Sequence, residues 1–234
     1  MTVIKIESIA DGVKKYLEQR IVTGKLKPGQ QVKEQEVAET LGVSRPPIRE
    51  ALKILEAEGL ITRKPNKGAF VREIAEKDIW EIYTLKMGLY DLATRLAFSK
   101  ISDREIERWD EVIRQMEECV VKEPADLVKY QTLNESFHGI MIDLCGNERL
   151  KRMVLTLRNQ VERFRYKSLG NKEHLQESFN YHRAILEAIK NKDKALTIKL
   201  TREHVLKGLN VLQELIAQEG QSTESDDQNF SLKG

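Results

Sequence analysis

The feature that most constrains the fold is an apolar spacing of three or four residues, which recurs along most of this 234-residue chain. Residues at that spacing lie on one face of an α-helix. Leu, Glu, Lys and Arg are abundant and only 5 prolines occur, which also favours helices. The sequence therefore predicts a mainly α-helical protein, long enough for one large domain or two of ordinary size.

The N-terminal third predicts three helices followed by a hairpin. The first helix carries an apolar stripe of Ile9, Val13, Leu17 and Ile21 and ends at Gly24. "KEQEVAETLGV" predicts a short second helix, and a third follows from Ser44 to Gly59. "LITRKPNKGAFVRE" alternates as strands on either side of a turn, which indicates a small β-hairpin. This order is that of a winged helix-turn-helix, and we assign it residues 1–74.

Residues 77–218 predict an all-α antiparallel bundle of six helices. Its helix boundaries are expected near Pro124, Gly146, Gly170 and Asn191. The first of these helices has an apolar stripe of Ile79, Ile82, Leu85, Leu89, Leu92 and Leu96. The polar segment 219–234 is almost free of aliphatic residues and is expected to be disordered.

Charge and cysteine usage indicate a cytoplasmic, nucleic-acid-binding protein. The segment from Ser44 to Arg72 has seven cations and three anions, a modest basic patch. Residues 1–10 lack the apolar stretch of a signal peptide, and no run is long enough for a membrane helix. Cys119 and Cys145 form no CxxC pair and are expected to be reduced core thiols.

The start of the third helix, "GVSRPPIREALKILEAEGL", is the strongest functional motif. Ser44 is a candidate N-cap, and Pro46 and Pro47 fix the first turn at little cost. Arg45 and Arg49 lie four residues apart and project from one face, where the helix N-terminus also favours phosphate. The alternative is a capped surface helix with solvated arginines. The preceding short helix and the basic hairpin favour DNA binding in the major groove.

Three of the four histidines fall on the apolar stripes of separate helices: His138, His182 and His204. Asn134 precedes His138 by one turn and offers an amide oxygen on the same face. Imidazoles suit zinc, nickel and similar cations, but the spacing alone leaves open ordinary hydrogen-bonded core histidines. His174, in "NKEHLQE", has charged neighbours and is expected to be exposed.

The segment "GQQVKEQEVAETLGVSRPPIREALKILEAEGLITRKPNKGAFV" resembles the DNA-binding domain of the GntR superfamily of bacterial regulators. The resemblance implies that one set of residues contacts DNA: Ser44, Arg45, Pro46, Pro47 and Arg49, with Lys67 and Gly68 at the tip of the wing. Gln35 stands where many members have a basic residue that reaches the DNA.

The helical part resembles the FCD domain of the FadR branch, in the shorter six-helix form similar to VanR. The family signature D-x3-H…H…H matches "NESFHGIMIDLCGN", "YHRAILEAI" and "TREHV". It implies that Asn134, His138, His182 and His204 bind a divalent metal, often zinc. Asn134 replaces the commoner aspartate, so weaker metal binding is expected.

The same resemblance implies a small carboxylate effector held beside the metal. Many members have Arg-x3-Glu in the first helix of this domain, where this chain has Lys86 and Tyr90. The second cation could come from Arg158, Arg163 or Arg165 in "LRNQVERFR", unless these arginines only face solvent. We predict Lys86 and Arg163 as effector-binding residues.

These observations predict a homodimeric transcriptional repressor that binds a pseudo-palindromic operator and responds to an organic or sugar acid. Two alternatives stay open: a metal sensor without an organic effector, and a metal-dependent hydrolase. The hydrolase is less favoured, because HExxH, GxSxG and phosphate-loop motifs do not occur. We therefore do not expect an enzyme.

Overall fold

The computed structural model describes residues 8–230, except the side chains of residues 163, 166, 167 and 218–230. The chain divides after Ile74 into two compact units, and Thr156–Arg163 is assigned to the first of them. The elements of the first unit are α1 (Ile9–Val22), β1 (Gln31–Val32), α2 (Glu34–Leu41), α3 (Arg45–Ala57), β2 (Ile61–Lys64) and β3 (Gly68–Val71). The predicted winged helix-turn-helix order is therefore confirmed.

The sheet of the first unit has one strand more than the predicted hairpin. Its order is β1-β3-β2, and both pairs are antiparallel. β1 escaped prediction because two residues are too few to show a strand alternation. At the hairpin turn, Asn66 and Gly68 have positive φ values of 58° and 89°. Gly68 adopts its value without strain, because glycine has no side chain.

The core of the first unit joins α1 to α3. Val13, Leu17 and Ile21 are buried and share one cluster with Ile48 and Leu52. The first residue of the predicted stripe, Ile9, is instead 63% exposed, because it occupies the first position of α1. Gly24 and Gly42 follow their helices with left-handed backbone, as predicted.

The six predicted helices follow: α4 (Glu76–Ala97), α5 (Asp103–Val121), α6 (Leu127–Leu144), α7 (Glu148–Leu169), α8 (Lys172–Lys190) and α9 (Lys194–Phe230). They form the second unit, apart from the Thr156–Arg163 segment of α7. A 3-10 turn at Phe98–Lys100 follows α4. The helical backbone of α9 continues to Phe230, into the segment that is predicted to be disordered. Adding a residue to an existing helix is easier than nucleating one. Disorder of residues 219–234 stays a prediction, since side chains beyond 217 lie outside the described residues.

The apolar stripe predicted for α4 is only partly correct. Ile79 and Ile82 are buried, whereas Leu85, Leu92 and Leu96 are 54%, 43% and 39% exposed. The buried face of the helix is completed by another set: Tyr83, Lys86, Tyr90, Ala93, Thr94 and Ala97. The helix has two apolar faces, and the core takes the one that also carries polar side chains.

Both cysteines are buried and have free thiols, in keeping with the predicted core role. Among the described residues, no helix is long and apolar enough to cross a membrane.

Candidate functional site

Three histidine rings from α6, α8 and α9 meet inside the second unit. The candidate ligand atoms of His138, His182 and His204 all lie within 4.8 Å of one another. His182 Nε2 is 3.2 Å from His138 Nε2 and 3.1 Å from the Asn134 amide oxygen. The structure thus brings together all four residues predicted as metal ligands. We call this group the histidine cluster.

The distance between two nitrogens of the histidine cluster fits a tetrahedral metal. Two nitrogens bound to one zinc at roughly 2.0–2.1 Å lie roughly 3.3 Å apart, close to the 3.2 Å between His138 and His182. Burial lowers the pKa of His182 to about 3 and the pKa values of His138 and His204 well below the ordinary range. The rings are therefore neutral, as metal ligands must be.

Aromatic neighbours fix the orientation of these rings. Tyr90 stacks on His138 with 5.2 Å between ring centroids, and Phe137 meets His182 edge to face at 4.7 Å. The Tyr130 hydroxyl donates to Ser178 at 3.1 Å and lies 3.5 Å from His182 Nδ1. Such second-layer contacts hold a metal ligand in one geometry.

A cavity of about 50 Å³ opens beside the histidine cluster, with room for several water molecules. Its polar lining includes Lys86, Asn134, His138, Arg165, His174 and His204. Lys86 is 7% exposed, and its ammonium lies over the rings of Tyr83 and Tyr90 at 4.9 and 5.3 Å. Arg165 is 8% exposed and lies 3.9 Å from Glu135. Two buried cations therefore line the cavity.

Of two expectations about this cavity, one is untested and the other is wrong. The side chain of Arg163 lies outside the described residues, whereas Arg165, one of the alternatives, lines the cavity. His174 is not exposed as expected: it is partly buried and lines the same cavity. A sequence signal existed, because His174, Ser178 and His182 lie at intervals of four on one helix face.

At the start of α3, both predicted arginines bind the same carboxylate. Arg49 Nε donates to Glu34 Oε2 at 2.8 Å, and Arg45 Nη2 donates to it at 3.1 Å. The guanidinium of Arg49, and then that of Arg45, holds the pKa of Glu34 below its usual value. Glu34, which sequence reasoning missed, is the first residue of α2 and holds two half-exposed arginines side by side.

Ser44 is the N-cap of α3 by position, but its hydroxyl makes no capping hydrogen bond. The usual partners are the backbone N–H groups of the second and third helical residues, which here are Pro46 and Pro47 and have none. The first turn of α3 is thus rigid but poor in N–H donors. At this turn, side chains rather than backbone N–H groups would contact phosphate.

The wing presents the last two predicted DNA-binding residues. Lys67 and Gly68 are exposed at the turn between β2 and β3. The Lys67 carbonyl accepts a hydrogen bond of 2.7 Å from Gln31 Nε2, which ties the turn to β1. Gln35, at the position that departs from the family pattern, donates to Glu39 at 2.8 Å.

Comparison with known families assigns both parts of the chain. Residues 9–71 match the family described as "Bacterial regulatory proteins, gntR family", and residues 81–207 match the FCD domain. The second match alone covers more than half of the chain.

Relatives that match over most of their length are also named as transcriptional regulators. The chain is 28% identical over 196 residues to the uncharacterized HTH-type transcriptional regulator YdhC of Bacillus subtilis, covering 83% of this chain and 84% of that protein. It is 30% identical over 192 residues to the gluconate operon transcriptional repressor of the same species, covering 78% and 76%.

The fold is shared with solved structures. E. coli McbR/YncC superposes with a TM-score of 0.76 at 22% identity, covering 90% of this chain and 99% of that one. The families and relatives matched are DNA-binding transcriptional regulators rather than enzymes.

Proposed function

The chain belongs to the GntR family of DNA-binding transcriptional regulators and carries an FCD domain; from this premise we propose that it is a homodimeric repressor controlled by a small carboxylate bound beside a divalent metal. The observation that carries the proposal is the convergence of three neutral histidines from three helices within 4.8 Å. Several relatives are named as repressors, which supports repression rather than activation. A cytoplasmic location follows from this role.

His138, His182 and His204 would hold the metal, with the Asn134 oxygen as the fourth donor. Zinc is the proposed ion, and nickel fits the same nitrogen-rich set. When bound, the metal supplies positive charge that attracts a carboxylate. The amide of Asn134 adds no negative charge, so the ion keeps its full charge for the effector.

The two buried cations of the cavity support a carboxylate effector. Lys86 lines the cavity that Asn134 and His138 also line. Burying a cation is costly; Arg165 is already paired with Glu135, and an anion in the cavity would add a favourable contact for both cations. We propose Lys86 and Arg165 as effector-binding residues; Arg163 stays a prediction.

The paired arginines and the wing support operator binding by the first unit. Arg45 and Arg49 are half exposed at the start of α3 and are held together by Glu34. Arginine can grip guanine bidentately in the major groove. We propose that they, with Ser44 and the rigid turn of Pro46 and Pro47, contact the operator, while Lys67 and Gly68 of the wing lie against the backbone.

Exposed leucines on α4 support a homodimer. Leu85, Leu92 and Leu96 form an apolar stripe on the helix face opposite the cavity. Stripes of this kind often mark protein–protein interfaces. A two-fold dimer would present two copies of α3 to a pseudo-palindromic operator, and the effector would favour one arrangement of the two.

The experiment combines thermal shift with DNA binding. Zinc should raise the melting temperature and EDTA should lower it, and lactate, gluconate or succinate should add a further shift only with zinc present. The same acid should weaken binding to a labelled fragment of the protein's own promoter region at low salt. Failure to bind this DNA at low salt would contradict the repressor role. A response to zinc without any response to acids would favour a metal sensor, which the small size of the cavity also allows.

A further inference from the structure

The tip of the wing is a four-residue turn that runs from Lys64 to Lys67. The Lys67 N–H donates to the Lys64 carbonyl at 3.0 Å and closes the turn. Pro65 is its second residue, and Asn66, its third, has a φ of 58°, the sign that a type II turn requires there. All four residues are exposed. A turn closed in this way keeps its own shape, but its position depends on what links it to the rest of the sheet.

Gln31 provides such a link from β1. The register of the sheet places Gln31 opposite Phe70 of β3. From there its side chain extends to the turn, where Nε2 donates to the Lys67 carbonyl at 2.7 Å. A Cβ at Gly68 would lie 3.4 Å from Nε2, so the amide lies directly beside this glycine. The side chain of Gln31 therefore joins the short strand β1 to the tip of the wing.

Lys67 is the cation of the wing that is placed to meet a DNA phosphate. The other two basic residues of the hairpin have partners within the unit: Arg63 is paired with Glu56 at 3.2 Å, and the Lys64 ammonium lies 4.8 Å from the centroid of the Phe70 ring. The Lys67 side chain is exposed and makes no ion pair with any residue that the structure describes. The hydrogen bond from Gln31 thus holds the residue whose charge is still unpaired.

We propose that Gln31 is a positioning residue for DNA binding, which acts by holding Lys67 where its ammonium meets a phosphate of the operator. The inference rests on the proposed function, in which the wing contacts the DNA backbone. It adds a residue that the family resemblance does not assign to the DNA. Holding the turn in place before binding reduces the conformational entropy that DNA binding would otherwise cost.

The salt dependence of DNA binding tests this role. Each phosphate contact of a lysine releases counterions, so the number of contacts sets the slope of log affinity against log salt concentration. Q31M removes the hydrogen-bond donor but changes neither charge nor side-chain length. Fluorescence anisotropy on a labelled fragment of the protein's own promoter region would compare full-length wild-type protein, Q31M, K67A and the double variant. Q19M is the matched control, because Gln19 is an exposed glutamine on α1 of the same unit.

K67A should reduce the steepness of this slope by about one, the value for one phosphate contact. Q31M should weaken binding roughly threefold, in the range of one hydrogen bond, and should also make the slope less steep although no charge changes. It should have no further effect in the K67A background, because both substitutions remove the same contact. Q19M should match the wild-type protein. A merely structural role of Gln31 would lower the melting temperature and leave the slope unchanged.

An unchanged slope in Q31M, with or without a loss of affinity, would overturn the inference and leave the proposed wing contact intact. A further loss of affinity when Q31M is added to K67A would mean that Gln31 binds DNA itself, which also overturns the positioning role. If K67A leaves both affinity and slope unchanged, the wing contact of the proposed function fails together with the inference.

Discussion

Asn134 is the residue on which the strength of the proposed metal site would depend. Its amide oxygen lies 3.1 Å from His182 Nε2, at the edge of the histidine cluster. A carboxylate at this place would bring a formal negative charge to the metal, whereas the amide brings only a dipole. The site should therefore bind metal more weakly than the aspartate-containing sites of the same family.

The variant N134D should bind zinc roughly tenfold more tightly than the wild-type protein, because ligand charge strengthens a cation site. Competition with a chromophoric chelator measures the affinity. Q131E is the control, since Gln131 lines the same cavity, gains the same charge and is not one of the candidate ligands. Equal gains in both variants would mean that charge acts at a distance and that Asn134 is not a ligand.

Glu34 shows what sequence reasoning at the residue level misses. It precedes Arg45 and Arg49 by eleven and fifteen residues and lies on a different helix, so no local spacing links them. The absence of a capping hydrogen bond to the Ser44 hydroxyl, in contrast, could have been predicted. The two residues whose backbone N–H groups would donate to this hydroxyl are both prolines, which have no N–H.

The variant E34Q should bind non-specific DNA more tightly and lose part of its preference for promoter DNA. Removing the carboxylate takes away a negative charge and releases two arginines from a fixed geometry. Fluorescence anisotropy on promoter and random-sequence DNA at several salt concentrations measures both effects. E50Q, which neutralises a carboxylate elsewhere on α3 that pairs with Lys53, is the control. An unchanged ratio between the two DNAs in E34Q would contradict the positioning role of Glu34.

At the level of elements, the helices were predictable because glycine, proline and asparagine mark their ends. Helix boundaries near Pro124, Gly146, Gly170 and Asn191 agree with the observed elements. The face that each helix buries was less predictable. α4 has apolar residues on two faces, and periodicity cannot tell which one meets the rest of its own chain.

The exposed face of α4 should be the dimer interface. The variant L92E places a charge in the centre of the stripe formed by Leu85, Leu92 and Leu96. Light scattering coupled to gel filtration should give twice the chain mass of 27.0 kDa for the wild-type protein and the single mass for L92E. V121E, at a residue that is 72% exposed at the end of α5, should stay dimeric. A dimer of unchanged mass in L92E would place the interface elsewhere.

The part of the candidate site that lies on apolar helix stripes could be predicted from the sequence. His138, His182 and His204 stood out because each interrupts an apolar stripe, and the structure brings them together. His174 and Arg165 lie among charged residues in sequence. Arg165 reaches the cavity through the packing of α7, whereas the helical spacing from His182 could have placed His174 there. A charged neighbourhood in sequence is therefore a poor guide to exposure when the residue lines a polar cavity.

At the scale of the whole molecule, the chain separates two tasks between two units. The first unit carries the paired arginines and the wing of a DNA-binding domain. The second unit carries the histidine cluster and a cavity lined by cations. Under the proposed function the second unit changes what the first unit does, and the metal would be the component on which that control depends.

The most direct test of this account is the metal content of the full-length protein. After incubation with zinc and gel filtration, mass spectrometry of the metal should find one zinc per wild-type chain. H138A should contain almost none yet still bind promoter DNA, and H174L should keep its zinc. A wild-type protein without bound metal, or an equal zinc content in H138A, would contradict the central claim that the histidine cluster is a metal site.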